Sequence, residues 1–391
     1  MTEKPHAARS LETILTHSGR DPDANRGYVN TPVYRGSTIL FPTLDALESP
    51  EPRYDYGRTG NPSAAAVEEL VTELEGAAGT VLAPSGLSAI SLALMTVLNS
   101  GDEVLVTDSA YQPTRRVSDG VLNRMGIKVA YYDPRLGGAI ETLITDRTKA
   151  IFVESPGSLT FEVQDLPAIV AVARPRGIAV IVDNSWATPL YYHPLALGAD
   201  IVVHAGTKMF VGHSDTMFGT ASANEKWWKQ LKDTHLRLGL CASPDDCFLA
   251  ARGLRTLALR MEQHGARSVA IAGWLEAQAG VTKVIHPALP SHPDHAIWTR
   301  DFSGAGSVFS IELEAKPRAA LAAMVDGFSL FALGWSWGGY ESLALPIHPE
   351  RVRTATKWTA PGRMLRLHIG LEGVDDLKAD LAAALERYRA A

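Results

Sequence analysis

The sequence predicts an α/β fold with a largely parallel sheet covered by helices on both faces, followed by a smaller α+β domain. Short runs that are apolar throughout alternate with helical patterns from about residue 64 to about residue 240. Strands of this kind are typical of a parallel sheet that is buried on both faces. The 391 residues also exceed the size at which a single core keeps growing, so two domains are expected.

The chain begins with a segment that is polar and irregular for its first 50 or so residues, rich in Pro, Gly, Arg and Thr. Its aromatic positions, among them Tyr28, Tyr34 and Phe41, indicate that it docks on another surface instead of remaining disordered. We assign residues 1–60 to this N-terminal arm.

Residues 61–245 form the predicted large domain. Helical spacing and apolar runs alternate through it. The predicted helices are AAAVEELVTELEGA, GLSAISLALMTVL, YQPTRRVSDGVLNRM and DLPAIVAVARPRG, and the predicted strands are TVLAP, DEVLVTD, IKVAYYD, KAIFVES, IAVIVDN and ADIVVHAG.

Residues 246–391 form the predicted small C-terminal domain. One long helical pattern, SPDDCFLAARGLRTLALRMEQHGARSVAIAGWLEAQ, leads into it across the boundary. Strand-like segments (GSVFSIELEA, SLFALGWSWGGYESLALP and MLRLHIGLE), the helix PRAALAAMVDG and the closing amphipathic helix VDDLKADLAAALERYRAA follow.

Composition excludes several classes of function. The 43 acidic and 37 basic side chains give a formal charge of -6, which argues against a nucleic-acid or anionic-lipid surface. The apolar runs are too short to cross a bilayer, and the N-terminus lacks an apolar signal segment, so a cytoplasmic protein is expected. Cys241 and Cys247 suit neither a zinc site nor a disulfide framework, so no metal is expected.

Three chemically active side chains lie where predicted strands end. Lys208 follows ADIVVHAG in the stretch VVHAGTKMFVGHSDTM, Asp183 ends IAVIVDN, and Glu154 ends KAIFVES. In a parallel α/β sheet, ligands bind at the carboxyl ends of the strands. Each residue alone has an ordinary interpretation, since a strand-end aspartate is usually a turn residue and a lone lysine is usually solvated. Their joint placement favours a site.

The segment APSGLS (83–88) ends another strand and opens a helix, and its free backbone N–H groups favour an anion such as phosphate. A phosphate cradle, a carboxylate and a lysine together predict pyridoxal phosphate, with Lys208 on the aldehyde and Asp183 on the ring nitrogen. Tyr111 is placed to stack on the ring, and Thr207 to offer the phosphate a hydroxyl.

Six motifs, in order along the chain, resemble those of the pyridoxal-phosphate enzymes of cysteine and methionine metabolism. They are YDYGRTGNPS, SGLSAI, VDNSWATP, GTKMFVGHSD, RGLRTL and RLHIGLE. The similarity runs from about residue 10 to the end. Within the family, NTPVYRGSTILF, ESPGS, SLFALGWSWGGYESL and HPALPSHP are similar to segments of bacterial cystathionine β-lyases.

The resemblance implies an aspartate-aminotransferase-like fold (fold type I) with a mostly parallel seven-stranded sheet. It implies the same roles for Lys208 and Asp183, a stacking and catalytic role for Tyr111, and α-carboxylate binding by Arg366. The other implied site residues are Gly86, Leu87 and Thr207 at the phosphate, Tyr56 and Arg58 reaching a neighbouring subunit's cofactor, and Ser336 and Trp337 at the substrate. Tyr56 is also an implied catalytic residue, sharing proton transfers with Tyr111. The cross-subunit contacts imply at least a homodimer, and the resemblance implies a homo-oligomer that is usually a tetramer, formed as a dimer of dimers.

The implied reaction is α,β-elimination of a small sulfur amino acid, L-cystathionine, to homocysteine, pyruvate and ammonia in methionine biosynthesis. Other cysteine S-conjugates present the same bond. Ser158 and Trp337 depart from patterns common in γ-active relatives and lean toward the β-lyase branch, whereas Ala205 replaces a serine of many relatives. Cystathionine γ-lyase, γ-synthase and methionine γ-lyase activities stay open as alternatives, and so does a non-catalytic regulator.

Overall fold

The structure is a computed structural model that describes residues 9–49 and 54–391. The predicted arm of residues 1–60 therefore lies partly outside the described residues, at 1–8 and 50–53. Within the described part, the chain forms two sheets, one of seven strands and one of five.

The seven-stranded sheet confirms the predicted fold class. In space its strands run in the order β1, β7, β6, β5, β4, β2, β3, and all are parallel except β7, which pairs antiparallel with both β1 and β6. The strands are β1 Gly79–Ala83, β2 Glu103–Thr107, β3 Lys128–Tyr132, β4 Thr148–Glu154, β5 Ala179–Asp183, β6 Ile201–His204 and β7 Gly219–Ala223.

Helices cover both faces of this sheet because its strands are apolar on both sides. Along β4, Ile151 and Val153 pack on one face, whereas Ala150 and Phe152 pack on the other. The helices of this part are α1 Leu11–His17, α2 Leu44–Leu47, α3 Pro62–Glu75, α4 Gly86–Val97, α5 Gln112–Arg116, α6 Leu166–Ala173, α7 Thr188–Tyr191 and α8 Glu225–Leu238.

The five-stranded sheet lies in the C-terminal part, in the order β10, β11, β12, β9, β8, and only the β10–β11 pair is parallel. Its strands are β8 Val281–Ile285, β9 Val308–Leu313, β10 Ala332–Leu333, β11 Leu343–Ile347 and β12 Arg363–His368. The helices are α9 Pro244–Leu254, α10 Leu257–Leu275, α11 His295–Asp301, α12 Arg318–Val325 and α13 Val374–Ala390.

The predicted long helix after residue 243 is divided into α9 and α10. The break falls at Arg255 and Thr256, where the Arg255 guanidinium donates to the backbone carbonyls of Leu15 and Ser18. This contact ties the N-terminal arm to the break between the helices. Helix α9 packs with α3 of the large domain in one apolar cluster. The domain boundary after residue 245 stays a prediction.

Among the described residues, no helix is both long and apolar enough to span a bilayer. Nor do any three His, Cys, Asp or Glu side chains of the described chain form a group that could hold a metal ion.

We expect Phe152→Ala to destabilise the large domain, because Phe152 is fully buried on β4. Removing a buried phenyl ring costs about 3–5 kcal/mol through lost burial and the remaining cavity. The apparent unfolding temperature, measured at one scan rate, should fall by about 5 °C or more. Leu143→Ala is the control, since Leu143 is 39% exposed, and an equal loss in both variants would contradict this description of the core.

Candidate active site

The strand ends of the large sheet bring the predicted site residues together. Asp183, the last residue of β5, is in register with Glu154, the last residue of β4. Strand β6 ends at His204, and the chain then turns tightly, with the Lys208 backbone N–H donating to the Ala205 carbonyl at 2.9 Å. The Lys208 amine interacts electrostatically with Asp183, so these two predicted residues lie near each other at the strand ends.

The Lys208 amine is held by a hydroxyl group. Its Nζ donates to Ser336 Oγ at 2.5 Å and lies 5.7 Å from the centroid of the Trp337 ring. Burial and the positive charge of Arg366 together lower the pKa of Lys208 to about 8, against the opposing effect of Asp183. About a tenth of the amine is then unprotonated at pH 7, far more than for a free lysine, and a lysine that attacks or abstracts protons requires the unprotonated form.

Asp183 is 7% exposed and is oriented by Ser185. Its Oδ1 accepts from the Ser185 backbone N–H at 2.9 Å and from the Ser185 hydroxyl at 2.6 Å. The same hydroxyl accepts from the Ala205 N–H at 2.7 Å and so links β5 to the lysine turn. Burial raises the pKa of Asp183, so a cation placed against it would be strongly attracted. Ser185 was not predicted from the sequence, although its position two residues after Asp183 in VDNSW was a signal.

Glu154 fixes the segment that carries Tyr111. Its Oε2 accepts from the Tyr111 backbone N–H at 2.7 Å, at the start of α5. Burial raises the pKa of Glu154 well above its usual range, and the nearby Asp183 charge adds to the shift. The Tyr111 side chain itself is 43% exposed, and burial together with the Glu154 charge raises its pKa. The ring is therefore available for stacking at the strand ends.

The N-terminus of α4 approaches the lysine turn closely. Ser85 caps the helix by accepting from the Ser88 N–H, and the first N–H groups of a helix have no intrahelical partner. A Cβ added to Gly86 would lie 2.6 Å from the Ala205 Cβ, so glycine is needed there. Thr207, on the same turn, donates to the Phe218 carbonyl at 3.1 Å and accepts from its N–H at 2.8 Å.

Arg366 enters the site from β12 of the small domain. It is 9% exposed, and its Nη2 donates to the Ser336 carbonyl at 2.6 Å. Burial lowers its pKa to about 10, which still leaves it cationic at neutral pH. Ser158 and Trp337, the two departures from the γ-active pattern, line a small cavity together with Asp183 and Arg366.

Tyr56 and Arg58 do not join this cluster within one chain. Tyr56 is 46% exposed and forms an isolated bridge with Thr38, and Arg58 Nη1 donates to the Leu236 carbonyl near the end of α8 at 3.0 Å. Their predicted role at a neighbouring subunit's cofactor stays a prediction.

A buried contact between the domains was not found from sequence. Asp108, directly after β2, is 1% exposed and accepts from Arg115 at 2.9 Å. It also accepts from the backbone N–H groups of Thr354 and Thr356 at 2.9 and 2.8 Å. These bonds hold a small-domain loop against the segment that follows β2, across a sequence separation that no local pattern reveals.

The residues present fit pyridoxal phosphate. A buried carboxylate with a raised pKa suits a protonated ring nitrogen, and an amine with a lowered pKa suits the aldehyde. At the start of α4, the first backbone N–H groups have no intrahelical partner, and the contact at Gly86 leaves no room for a side chain. These free N–H groups suit the phosphate. Gly86 and Leu87 would hold that phosphate, and Tyr111 would stack on the ring. Thr207 would join them only by turning its hydroxyl away from the Phe218 carbonyl.

Gly86→Ala should weaken cofactor binding, because the new methyl group would push α4 away from Ala205. We expect the dissociation constant for pyridoxal phosphate to rise by about tenfold or more, the equivalent of a lost hydrogen bond to an anion. Fluorescence titration of cofactor-free protein would measure it. Gly120→Ala is the matched control, since a Cβ at Gly120 meets nothing within 4 Å, and equal affinities in the two variants would refute the argument.

Comparisons with known proteins agree with this site. The family described as Cys/Met metabolism PLP-dependent enzyme matches residues 12–386. A Rhizobium johnstonii protein, provisionally named a cystathionine beta-lyase, is 48% identical over 375 residues, covering 95% of this chain and 94% of that protein. The cystathionine beta-lyase of Salmonella typhimurium is 39% identical, covering 97% of this chain and 99% of that protein.

A crystal structure of cystathionine gamma synthase from Xanthomonas oryzae pv. oryzae in complex with cystathionine superposes with a TM-score of 0.89 at 34% identity. The match covers 98% of this chain and 100% of that one. The predicted family, fold and cofactor are thereby confirmed, and the cofactor is pyridoxal phosphate. This chain belongs to the pyridoxal-phosphate-dependent enzymes of cysteine and methionine metabolism.

Proposed function

We propose that this protein is a carbon–sulfur lyase that cleaves L-cystathionine by α,β-elimination. One water is consumed, and homocysteine, pyruvate and ammonia are released. The observation that carries the proposal is the Lys208 amine, whose pKa is lowered to about 8 beside Asp183 and Arg366. The relatives named for β-lyase activity select this reaction among those that such a site supports. The reaction belongs to methionine biosynthesis, and other cysteine S-conjugates present the same Cβ–S bond.

Arg366 binds the substrate α-carboxylate. A guanidinium offers five N–H donors in a planar fork that matches a carboxylate, and the Ser336 carbonyl occupies one of them at 2.6 Å. The remaining donors orient the substrate so that its Cα lies toward the Lys208 amine. Trp337, half-buried beside this arginine, forms part of the wall against which the substrate side chain packs.

Lys208 moves the proton. When bound, pyridoxal phosphate supplies an electron sink for the pair left on Cα, and Asp183 keeps its ring nitrogen protonated. The unprotonated Lys208 amine takes the Cα proton, and the Cβ–S electron pair leaves with sulfur as a thiolate that a proton then neutralises. Tyr111 and the neighbouring subunit's Tyr56 are the residues that share these proton transfers.

Two other hypotheses remain, an enzyme that acts at Cγ and a non-catalytic regulator. A γ-lyase would release 2-oxobutanoate instead of pyruvate, and the γ-synthase among the solved relatives keeps this branch open. Ser158 and Trp337 beside Arg366 favour the β-lyase. A non-catalytic regulator is disfavoured because Lys208, Asp183 and Arg366 converge as reactive groups do.

We also propose a cytoplasmic homo-oligomer, a tetramer built as a dimer of dimers, in which the N-terminal arm crosses to a neighbouring subunit. Several apolar side chains of this arm are exposed in the single chain, and a second copy would cover them. They include Tyr28 at 69%, Leu40 at 89% and Leu44 at 65%. Tyr56 and Arg58 would then reach the partner's cofactor phosphate.

The products of purified protein with L-cystathionine test the reaction. We expect pyruvate and homocysteine by mass spectrometry, and a loss of about 10³-fold or more in kcat for Lys208→Ala, because Lys208 is the residue proposed to take the Cα proton. Lys226→Ala, which removes a lysine of α8 away from the site, is the control and should keep full activity. 2-Oxobutanoate with cysteine would move the protein to the γ-lyase branch.

Mixing inactive subunits tests the cross-subunit site. Arg58→Ala and Lys208→Ala chains, each inactive alone, should recover about a quarter of wild-type activity when co-expressed, since half of the random dimers carry one intact site of two. Lys208→Ala mixed with Asp183→Asn is the control, because a hybrid of those chains contains no intact site. Recovery in both mixtures, or in neither, would contradict the shared site.

A further inference from the structure

The turn Ser336–Gly339 forms one wall of the site and contacts Lys208 in two ways. The Ser336 hydroxyl accepts from the lysine amine at 2.5 Å, and a Cβ added to Gly338 would lie 2.8 Å from the Lys208 Cα. The Ser336 carbonyl also accepts from Arg366. Ser336 has φ of +74°, which is unfavourable for a residue other than glycine and persists only where the surroundings impose it.

His368 is the side chain that holds the far end of this turn. It lies two residues after Arg366 on β12, so both side chains point to the same face of the strand. The ring is fully buried, with Nδ1 2.9 Å from Ser307 Oγ. Its Nε2 lies 3.2 Å from the Gly338 backbone N and 3.1 Å from the Gly339 carbonyl oxygen.

Either neutral tautomer of His368 can form a hydrogen bond to the Ser336–Gly339 turn. With the proton on Nδ1, that nitrogen donates to Ser307 Oγ and Nε2 accepts from the Gly338 N–H. With the proton on Nε2, it donates to the Gly339 carbonyl while Ser307 donates to Nδ1. A doubly protonated ring has no lone pair for the Gly338 N–H.

The surroundings keep the ring neutral. Burial lowers the pKa of His368 to about 3, and His264, Arg366 and Lys208 add to the shift, against the opposing hydrogen bond with the Gly339 carbonyl. The His264 ring lies 5.5 Å away, and its Nδ1 contacts the Ile369 carbonyl instead of the turn.

We propose that His368 is a positioning residue whose imidazole fixes the Ser336–Gly339 turn against Lys208 and so keeps water away from the lysine amine. His368 touches neither substrate nor cofactor in this account and acts through the turn. The inference rests on the role given to Lys208 under the proposed function. When the His368 ring no longer hydrogen-bonds to the turn, we expect the pKa of Lys208 to rise, because burial is the main cause of the lowered pKa of Lys208.

Two amide substitutions separate the contacts of the ring. His368→Asn places an amide near Nδ1, within reach of Ser307 but too short for the turn, whereas His368→Gln extends to the position of Nε2. The cofactor-free proteins would be acetylated with trace acetic anhydride across a range of pH, and the labelling of Lys208 quantified by mass spectrometry. The wild-type midpoint should fall near 8. The Asn variant should raise it by about one pH unit toward the value of 10.4 for a free lysine, and the Gln variant should leave it nearly unchanged.

His264→Asn is the matched control, a buried histidine of the same region with no bond to the turn, and its midpoint should equal that of wild type. An unchanged midpoint in folded His368→Asn, or an equal rise in His264→Asn, would overturn the proposal. If the Asn variant fails to fold, a raised midpoint in folded His368→Gln would overturn it. Because the assay needs no turnover, a wild-type protein that makes no pyruvate would count against the proposed function and leave this result standing.

Discussion

The close approach of backbone around Lys208 is the constraint on which the rest of the site depends. Gly86 packs against Ala205 and Gly338 packs against Lys208, at distances that leave no room for a side chain. The lysine turn is therefore enclosed by the start of α4 from the large domain and by the Ser336–Gly339 turn from the small domain. Removal from water follows from this packing, and the lowered pKa of the amine follows from removal from water.

Charged side chains near Lys208 act on its pKa in addition to burial. The positive charge of Arg366 disfavours a second positive charge on Lys208, and a bound carboxylate would compensate the charge of Arg366. Asp183 is buried with a raised pKa, and a bound cation would compensate its negative charge. Without ligands these charges are poorly compensated, which costs stability. A bound amino acid would place its carboxylate against Arg366, and bound pyridoxal phosphate would place its protonated ring nitrogen against Asp183. The burial that makes these charges costly in the free site would therefore strengthen both interactions once the ligands are bound.

Strand-end placement made much of this predictable from sequence. Apolar runs located the strands, and the positions of Asp183 and Lys208 after them followed, because parallel strands present their carboxyl ends at one edge. The helix break was less predictable: α9 and α10 form one helical pattern in the sequence, and the contacts found at the break, from Arg255 to the carbonyls of Leu15 and Ser18, join segments far apart in the chain. The Asp108 contacts with Thr354 and Thr356 and the His368 contacts with the turn were missed for the same reason, since they join segments far apart in sequence.

The attachment point of the cofactor decides whether this strand edge is the active site. Protein loaded with pyridoxal phosphate would be reduced with borohydride, digested and analysed by mass spectrometry. We expect one cofactor per chain, attached to Lys208, with occupancy greatly reduced when Asp183 is replaced by alanine, because the ring nitrogen loses its buried partner. Attachment to another lysine, or full occupancy without Asp183, would contradict the assignment of this strand edge as the active site.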